Sequence, residues 1–437
     1  MYNIHKEADM VHSFTYHNDT KVYFGKDALS HLEEEIQNYG TRVLLVYGGG
    51  SIKKSGLYDT LSRTLRQSSE LYAEISGVKP NPELDLVEEG IRLCRENRLN
   101  LIIAAGGGSV IDTAKAIAGS VFYQESPWEL ITARAQISHA LPVFAIPTMA
   151  ASGSEMNGCA VISNSKTCEK YGWTTDALRP KISFIDPAFT FTVSPYQTAC
   201  GAADILSHIL EVYLNQEEGF DAIDGFMESM MRSVIRWAPI AMKEPDNEEA
   251  RANLLWNSEW AINDLIDCGH SVAWSCHGME HELSAYLGIP HGHGLAILTP
   301  VFMKYVLNKK TAPRLAAFAV NVMGVKPEKS LKKTAKKGIR RLSDFFTEGL
   351  NLTPGFSQFI GERESSWLER KFIEKFEGID IHRLSREERE GMMEEVIDEF
   401  IAKMADHAIS WKGKDGIIEG FVPLSREDLI NIYNRAF

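Results

Sequence analysis

The feature that most constrains this chain is a short aliphatic run, Leu101, Ile102, Ile103, Ala104, Ala105, which passes directly into Gly106, Gly107, Gly108, Ser109 and then into a helical pattern opening at Val110. Unbroken aliphatic character over so few residues is what a strand buried on both faces requires. Such strands belong to parallel sheets covered by helices on each side. The runs at residues 43–47 and 143–146 share this character, and each stops at a Gly or Pro signal. Helical patterns at 52–66, 82–96 and 110–120 fill the intervals. Residues 14–24 read as an additional N-terminal strand and residues 28–38 as a helix.

Beyond the turn-rich segment from Ile185, Asp186, Pro187 to Ser194, Pro195, the β-rich runs vanish. Residues 196–214, 221–240, 248–267, 314–323 and 387–405 carry apolar side chains at three- and four-residue steps, the period of amphipathic helices. The expectation is an α/β domain over residues 1–190 and an all-α domain over residues 191–437. A chain of 437 residues suits two domains of roughly 150–250 residues each. The basic segment 326–341 places Leu331, Ala335, Ile339 and Leu342 on one helical face, so it reads as a solvated helix surface rather than a polyanion site.

Hydrophobic residues at 44% and charged residues at 24% are the balance of a soluble globular protein. A formal net charge of -13 argues against nucleic acid as a partner, which is bound through clustered Lys and Arg. No apolar run approaches a membrane span, and residues 1–14 lack the apolar stretch of a signal peptide, so the expected address is cytoplasmic. Cys94, Cys159, Cys168, Cys200, Cys268 and Cys276 have no CxxC spacing and read as reduced thiols.

The glycine run at Gly106 to Ser109 is a candidate phosphate cradle. Glycines let the backbone approach an anion, and the open amides and positive dipole end of the following helix favour pyrophosphate. A second run, Gly48, Gly49, Gly50, Ser51, follows the strand ending at Tyr47. A single run could merely make a tight turn, but two such loops after two strands of one sheet point to a dinucleotide. Neither fits the G-x-G-x-x-G or P-loop spacing. Near Tyr47 stand Lys53 and Lys54 and no carboxylate to bind the adenosine ribose, so NADP(H) is expected over NAD(H).

Asp204 and His208 are four apart in a helical segment and leave one face together. His277 and His281 repeat the spacing, and His291 and His293 follow closely. The zinc-protease helix needs Glu directly after its first His; Gly278 stands there instead. One aspartate and three imidazoles suit one divalent metal, Fe2+ or Zn2+, with a position open for a substrate oxygen. Spacing alone excludes neither His281 nor His293 as a ligand.

The chain resembles the iron-containing (group III) alcohol dehydrogenase family, and within it the butanol dehydrogenase and broad-range aldehyde reductase branch. The resemblance is carried by Gly77 through Asn81 and Pro82, the run from Gly106 to Lys115, Pro147 and Thr148 with Ser152 to Glu155, Gly201 to His208, and His277 to His281 with Pro290 to Gly292. It implies a dinucleotide-binding α/β domain followed by a helical metal-binding domain, with the active site in the cleft between them. It implies metal ligands Asp204, His208, His277 and His291, with His281 left for proton transfer. It also implies cofactor contacts from Gly106 to Ser109, Asp112, Thr148, Ser152, Asn157 and Lys170, and a homodimer. Met149, Ala150 and Ala151 depart from the Thr- and Gly-rich stretch of many members.

The reaction expected from this resemblance is hydride transfer between NAD(P)H and a small primary alcohol or aldehyde, the metal acting as a Lewis acid on the substrate oxygen. A rival is an NAD-using carbon-oxygen lyase of the dehydroquinate-synthase-like type, which should gather Lys and Arg for substrate phosphate and carboxylate. Residues 256–287 contain neither. A third reading is a metal- or nucleotide-binding protein without catalysis.

Overall fold

The aliphatic runs pair as the centre of a six-stranded sheet. A computed structural model describes residues 12–216, 220–362, 372, 374–376 and 385–437. In chain order its strands are β1 (Lys21–Phe24), β2 (Arg42–Gly48), β3 (Leu71–Val78), β4 (Leu101–Gly106), β5 (Val143–Pro147), β6 (Cys159–Asn164), β7 (Glu169–Thr174) and β8 (Ile182–Ile185). The sheet runs β1-β8-β5-β4-β2-β3, every pairing parallel, and β6 and β7 form a separate antiparallel hairpin.

The period of two explains the aliphatic runs. Val43, Leu45, Tyr47, Leu101, Ile103, Ala105, Phe144 and Ile146 point to one face, against helices α1 (Leu32–Tyr39) and α3 (Leu57–Ser68), the short α2 (Ser51–Lys54) lying between them in sequence. Leu44, Val46, Ile102, Ala104, Val143 and Ala145 point to the other, against α4 (Leu84–Asn97) and α5 (Gly108–Ser120). Burying each such Val, Leu or Ile contributes roughly 1.5–3 kcal/mol, so a strand covered twice cannot afford polar positions.

The chain leaves β2 for the edge strand β3 and returns to β4 on the opposite side of β2. Helix α3 therefore covers one face and α4 the other, and the carboxyl ends of β2 and β4 flank a topological switch point, the place where open α/β sheets bind ligands. Tyr47 and Ala105 are register partners, so the two glycine runs emerge side by side.

Three elements differ from expectation. The N-terminal strand is confined to Lys21–Phe24, where pairing with β8 supplies the hydrogen bonds. The β6–β7 hairpin was not foreseen. Helix α9 (Glu248–Trp260) ends short of residue 267, and the irregular residues after it include Asp264 and Trp274 at positive φ.

The change from strand to helix falls between Ile185 and Pro195. Packing groups the next helices, α7 (Pro195–Tyr213), α8 (Asp221–Lys243) and α9, with the sheet; α6 (Pro127–Ile131) lies earlier in the same unit, which ends at His270. Composition marks the change of secondary structure, whereas burial decides the unit. Almost all of α7 is buried, and a Cβ on Gly201 would lie 2.2 Å from the Ala150 carbonyl.

The second unit comprises residues 214–216 and those from Ser271 onward. It contains α10 (Ser275–Leu287), α11 (His291–Tyr305), α12 (Ala312–Asn321), α13 (Leu331–Asp344), α14 (Phe356–Glu362), α15 (Arg386–Lys412) and α16 (Arg426–Ala436). A two-residue ladder, Ile417–Ile418 with Leu424–Ser425, interrupts the helices. On basic α13, Ala335, Ile339 and Leu342 are buried as expected, but Leu331 is 52% exposed because it occupies the first helical position after the Ser330 cap. Buried Tyr433 donates to the Met279 carbonyl at 2.9 Å, tying α16 to α10. Among the described residues no helix is long and apolar enough to cross a membrane, and the six cysteines are free thiols.

Candidate active site

The two glycine loops are built for different purposes residue by residue. A Cβ on Gly106 would lie 2.4 Å from Val110 Cγ2, and one on Gly108 would lie 2.1 Å from Ser152 Oγ, so packing demands glycine at both. A Cβ on Gly49 or Gly50 would meet nothing within 4 Å, and one on Gly107 would find its nearest neighbour at 3.7 Å. Those backbones face open space that a ligand can fill. Gly50 also has φ +127, which side chains rarely adopt. Ser51 opens α2 directly after it. Helix α5 starts at Gly108 with Gly107 as an N-cap that offers no side-chain hydrogen bond. Its first amides and dipole are thus presented to an anion. Gly48 pairs with Val78, and the turn beyond β3 carries Asn81 at φ 57 and Pro82, whose carbonyl accepts from the Ser163 amide at 2.8 Å.

The other expected cofactor residues converge beneath this cradle. The Thr148 amide donates to the Gly106 carbonyl at 3.0 Å, fixing the 148–157 loop to the end of β4. Asp112 is buried and accepts from Ser154 Oγ at 2.6 Å and from the Val161 amide at 3.1 Å; burial pushes its carboxyl up. Asn157 Oδ1 accepts from Lys115 Nζ at 3.0 Å and the Cys159 amide at 2.9 Å, while its Nδ2 donates to the Gly153 carbonyl at 3.0 Å. These side chains spend their hydrogen bonds tying the loop to α5 and β6. Lys170 is buried on β7, in register with Ser163. Lys115, not expected as a site residue, is fully buried and donates to Ser154 Oγ, Asn157 Oδ1 and the Cys159 carbonyl; burial pushes its ammonium down to about 8.

Beside the second glycine loop, folding adds a carboxylate that linear neighbourhood hides. Glu74 of β3 pairs with Leu45 and accepts from the hydroxyls of Tyr47 at 2.9 Å and Tyr58 at 3.0 Å. Lys53 Nζ sits over both rings, 5.2 and 4.8 Å from their centroids. The absence of a carboxylate near Tyr47 is thereby corrected: sheet pairing delivers one to its hydroxyl.

Asp204 and His208 lie one turn apart on buried α7, with His208 Nε2 3.8 Å from Asp204 Oδ1. His277 and His281 lie one turn apart on α10. The αL residue Gly288 and Pro290 reverse the chain so that His291 opens α11 beside them. The His291 ring centroid is 5.1 Å from that of His277 and 5.4 Å from that of His281. Asp204, His277 and His291 each offer one ligand atom, and these atoms lie within 4.8 Å of one another. A buried carboxylate with imidazoles at that spacing fits a divalent metal. His208 and His281 stand beside this trio but outside the gathered group. His293 serves the fold: Nε2 meets the Thr353 carbonyl at 3.2 Å and the ring packs on Phe359.

Glu280 is the residue that motif reading missed. It is fully buried, hydrogen-bonds His291 Nδ1 and accepts from Ser284 Oγ. An Nδ1 held by a carboxylate orients the ring and leaves Nε2 for a metal. The available signal is an acid in the same helical segment as two candidate ligands, which the spacing of the histidines alone does not single out.

Comparison with known proteins supplies the context. The family described as "Iron-containing alcohol dehydrogenase" matches residues 19–187, and "Fe-containing alcohol dehydrogenase family, C-terminal" matches residues 198–364. The two matches meet where strands give way to helices. NADH-dependent butanol dehydrogenase A of Clostridium acetobutylicum is 47% identical over 334 residues, 76% of this chain and 86% of that protein. An NADPH-dependent aldehyde reductase of Escherichia coli is 35% identical over 318 residues, 72% of this chain and 81% of that one. The crystal structure of an NADH-dependent butanol dehydrogenase A from Thermotoga maritima superposes with a TM-score of 0.84 at 33% identity, covering 98% of this chain and 99% of that one.

Proposed function

This chain belongs to the iron-containing alcohol dehydrogenase family, which makes it a metal-dependent, NAD(P)-linked oxidoreductase of small alcohols and aldehydes, and we propose that its substrates are primary alcohols and aldehydes of butanol size. The observation that carries this reading is the convergence of Asp204, His277 and His291 ligand atoms within 4.8 Å, in a chain whose glycine loops border a switch point. In the proposed site Asp204, His208, His277 and His291 hold one Fe2+ or Zn2+. Bound there, the metal supplies Lewis acidity toward a substrate oxygen, and the nicotinamide supplies or receives the hydride. Gly48 to Ser51 and Gly106 to Ser109 bind the dinucleotide, with Asn81, Pro82, Asp112, Thr148, Ser152, Asn157 and Lys170 shaping its bed. His281, buried beside His291, exchanges the proton of the alcohol hydroxyl.

NADP(H) is the proposed preference, because Lys53 and Lys54 border the second glycine loop, although Glu74 now stands behind Tyr47. The assembly is proposed as a cytoplasmic homodimer. The lyase alternative lacks support: residues 256–287 carry no Lys or Arg, and the relatives named above are dehydrogenases and reductases. The test is oxidation of NADPH and NADH against a panel of aldehydes after reconstitution with Fe2+ or with Zn2+. Activity with butanal that disappears on chelation supports the reading. A protein that binds cofactor and metal yet oxidises no reduced cofactor with any aldehyde defeats it.

A further inference from the structure

Two buried glutamates in the first unit have no part in the chemistry above. Glu155 lies in the 3₁₀ turn Ser154–Met156 and is 2% exposed; Glu259 lies in the last turn of α9 and is 0% exposed. Glu155 Oε1 and both carboxyl oxygens of Glu259 receive no hydrogen bond from any described donor, yet the two carboxyl groups are within hydrogen-bonding reach of each other. Two unsolvated carboxylates in contact repel strongly. One proton between them converts that repulsion into a short, charge-assisted bond. Burial pushes both carboxyls up, and the neighbouring charge of Glu155 pushes Glu259 further.

The pair sits at a junction. On one side the 148–157 loop abuts α9, where a Cβ on Gly153 would lie 2.2 Å from the Ser258 carbonyl. On the other it abuts the phosphate cradle, with Ser152 Oγ against Gly108 and Ser154 Oγ on Asp112. Underneath, Ser183 Oγ of β8 donates to the Glu155 carbonyl at 2.6 Å. The charged groups that act on the pair are Asp112 and Lys115 of α5; behind them, Cys159 and Arg179 act on Lys115, and Lys170 on Asp112.

We infer that Glu155 and Glu259 share a single proton and by that bond clamp the 148–157 loop to α9, making them positioning residues that hold Ser152 at the pyrophosphate loop for the nicotinamide cofactor. The inference rests on the nucleotide-binding reading proposed above. When the proton leaves for solvent in alkali, the carboxylates repel, the loop moves off Gly108, and cofactor affinity falls.

Glu259→Gln keeps a permanent donor toward Glu155, whereas Glu259→Ala removes the bond. Cofactor Kd is read from NADPH and NADH fluorescence on the metal-loaded enzyme between about pH 6 and pH 10, with a melting curve to establish folding. In the wild type, Kd should rise about tenfold or more along the alkaline limb, and Glu259→Gln should flatten that rise. Glu259→Ala should weaken binding by about tenfold at every pH while leaving kcat at saturating cofactor nearly unchanged. Infrared difference spectra at about pH 8, above the Asp267 titration, should show a protonated-carboxyl band in the wild type that Glu259→Gln lacks. An alkaline limb that persists in Glu259→Gln would assign it to Lys115 and overturn the clamp; so would wild-type affinity in Glu259→Ala. If Glu259→Ala does not fold, Glu259→Leu, which removes the bond while filling the buried space, replaces it with the same expected loss. A wild type that binds no nicotinamide cofactor sinks the nucleotide reading and the clamp's purpose with it, whereas the carboxyl band reports the shared proton independently.

Discussion

The carboxylate of Glu280, fully buried on α10, hydrogen-bonds Nδ1 of His291 at the first turn of α11. That bond occupies Nδ1 and leaves Nε2 as the nitrogen to offer to a metal, and the carboxylate charge raises the basicity of that nitrogen. Glu280→Gln should leave the fold intact but lower metal affinity by roughly 10–100-fold, read by competition with a chelator and elemental analysis. A Cβ on Gly294 would lie 2.6 Å from Glu280 Oε1, so Gly294→Ala should weaken metal binding in the same way by displacing the carboxylate. Unchanged affinity in both variants would remove Glu280 from the site.

His277 and His281 occupy equivalent faces of α10 one turn apart, but only His277 belongs to the gathered ligand group. His277→Ala should therefore lose metal on dialysis. His281→Ala should retain it while kcat drops by about 10²–10⁴-fold, the usual contribution of a positioned proton donor or acceptor. Metal loss in His281→Ala, or full turnover, would contradict the assigned proton role.

The open space over Gly49 separates a binding glycine from a packing glycine. Gly49→Ala meets nothing within 4 Å, so its melting temperature should match the wild type, while the new methyl should raise the cofactor KM if the dinucleotide backs onto this loop. Gly108→Ala drives a Cβ to 2.1 Å from Ser152 Oγ and should lower stability by about 1–3 kcal/mol as well as weaken cofactor binding. Thermal melts and initial-rate kinetics on both variants distinguish the two roles. An unaltered cofactor KM in Gly49→Ala would move the cofactor off the loop at Gly48 to Ser51.

What could be read without coordinates follows from physical causes. Strands β2, β4 and β5 are legible because burial on both faces forces unbroken aliphatic composition. The β6–β7 hairpin escapes because its strands mix buried Ala160 and Ile162 with Ser163 and Asn164, and its partner surface is a distant helix. The i,i+4 pairs on α7 and α10 announce a metal site, yet spacing cannot tell that His277 joins the ligand group while His281 does not. Glu74 reaches Tyr47 only through strand pairing, and Glu280 reaches His291 only through the turn at Gly288 and Pro290. Glu155 and Glu259 are ordinary acids in the sequence, and their meaning depends on the removal of water by α9.

Asp267 gives the clearest pH-dependent test of stability. Its Oδ1 is buried with no hydrogen-bond partner among the described groups, and burial, with Asp264 nearby, pushes the carboxyl up to about 7. The folded state thus holds this proton more tightly than the unfolded chain, whose carboxyl titrates near the ordinary aspartate value of 3.8. The stabilisation is fully present below that unfolded value and is lost as pH rises through about 7. Asp267→Asn keeps the shape and removes the titration, so the variant should gain on the wild type as pH rises across this window. At pH above about 8 the advantage should reach roughly 1–2 kcal/mol, less than the full shift implies because water reaches part of the side chain. Melting temperatures of both proteins at matched pH test this. A difference between them that does not vary with pH would show that Asp267 is ionised throughout and that a neighbouring cation, not burial, governs it.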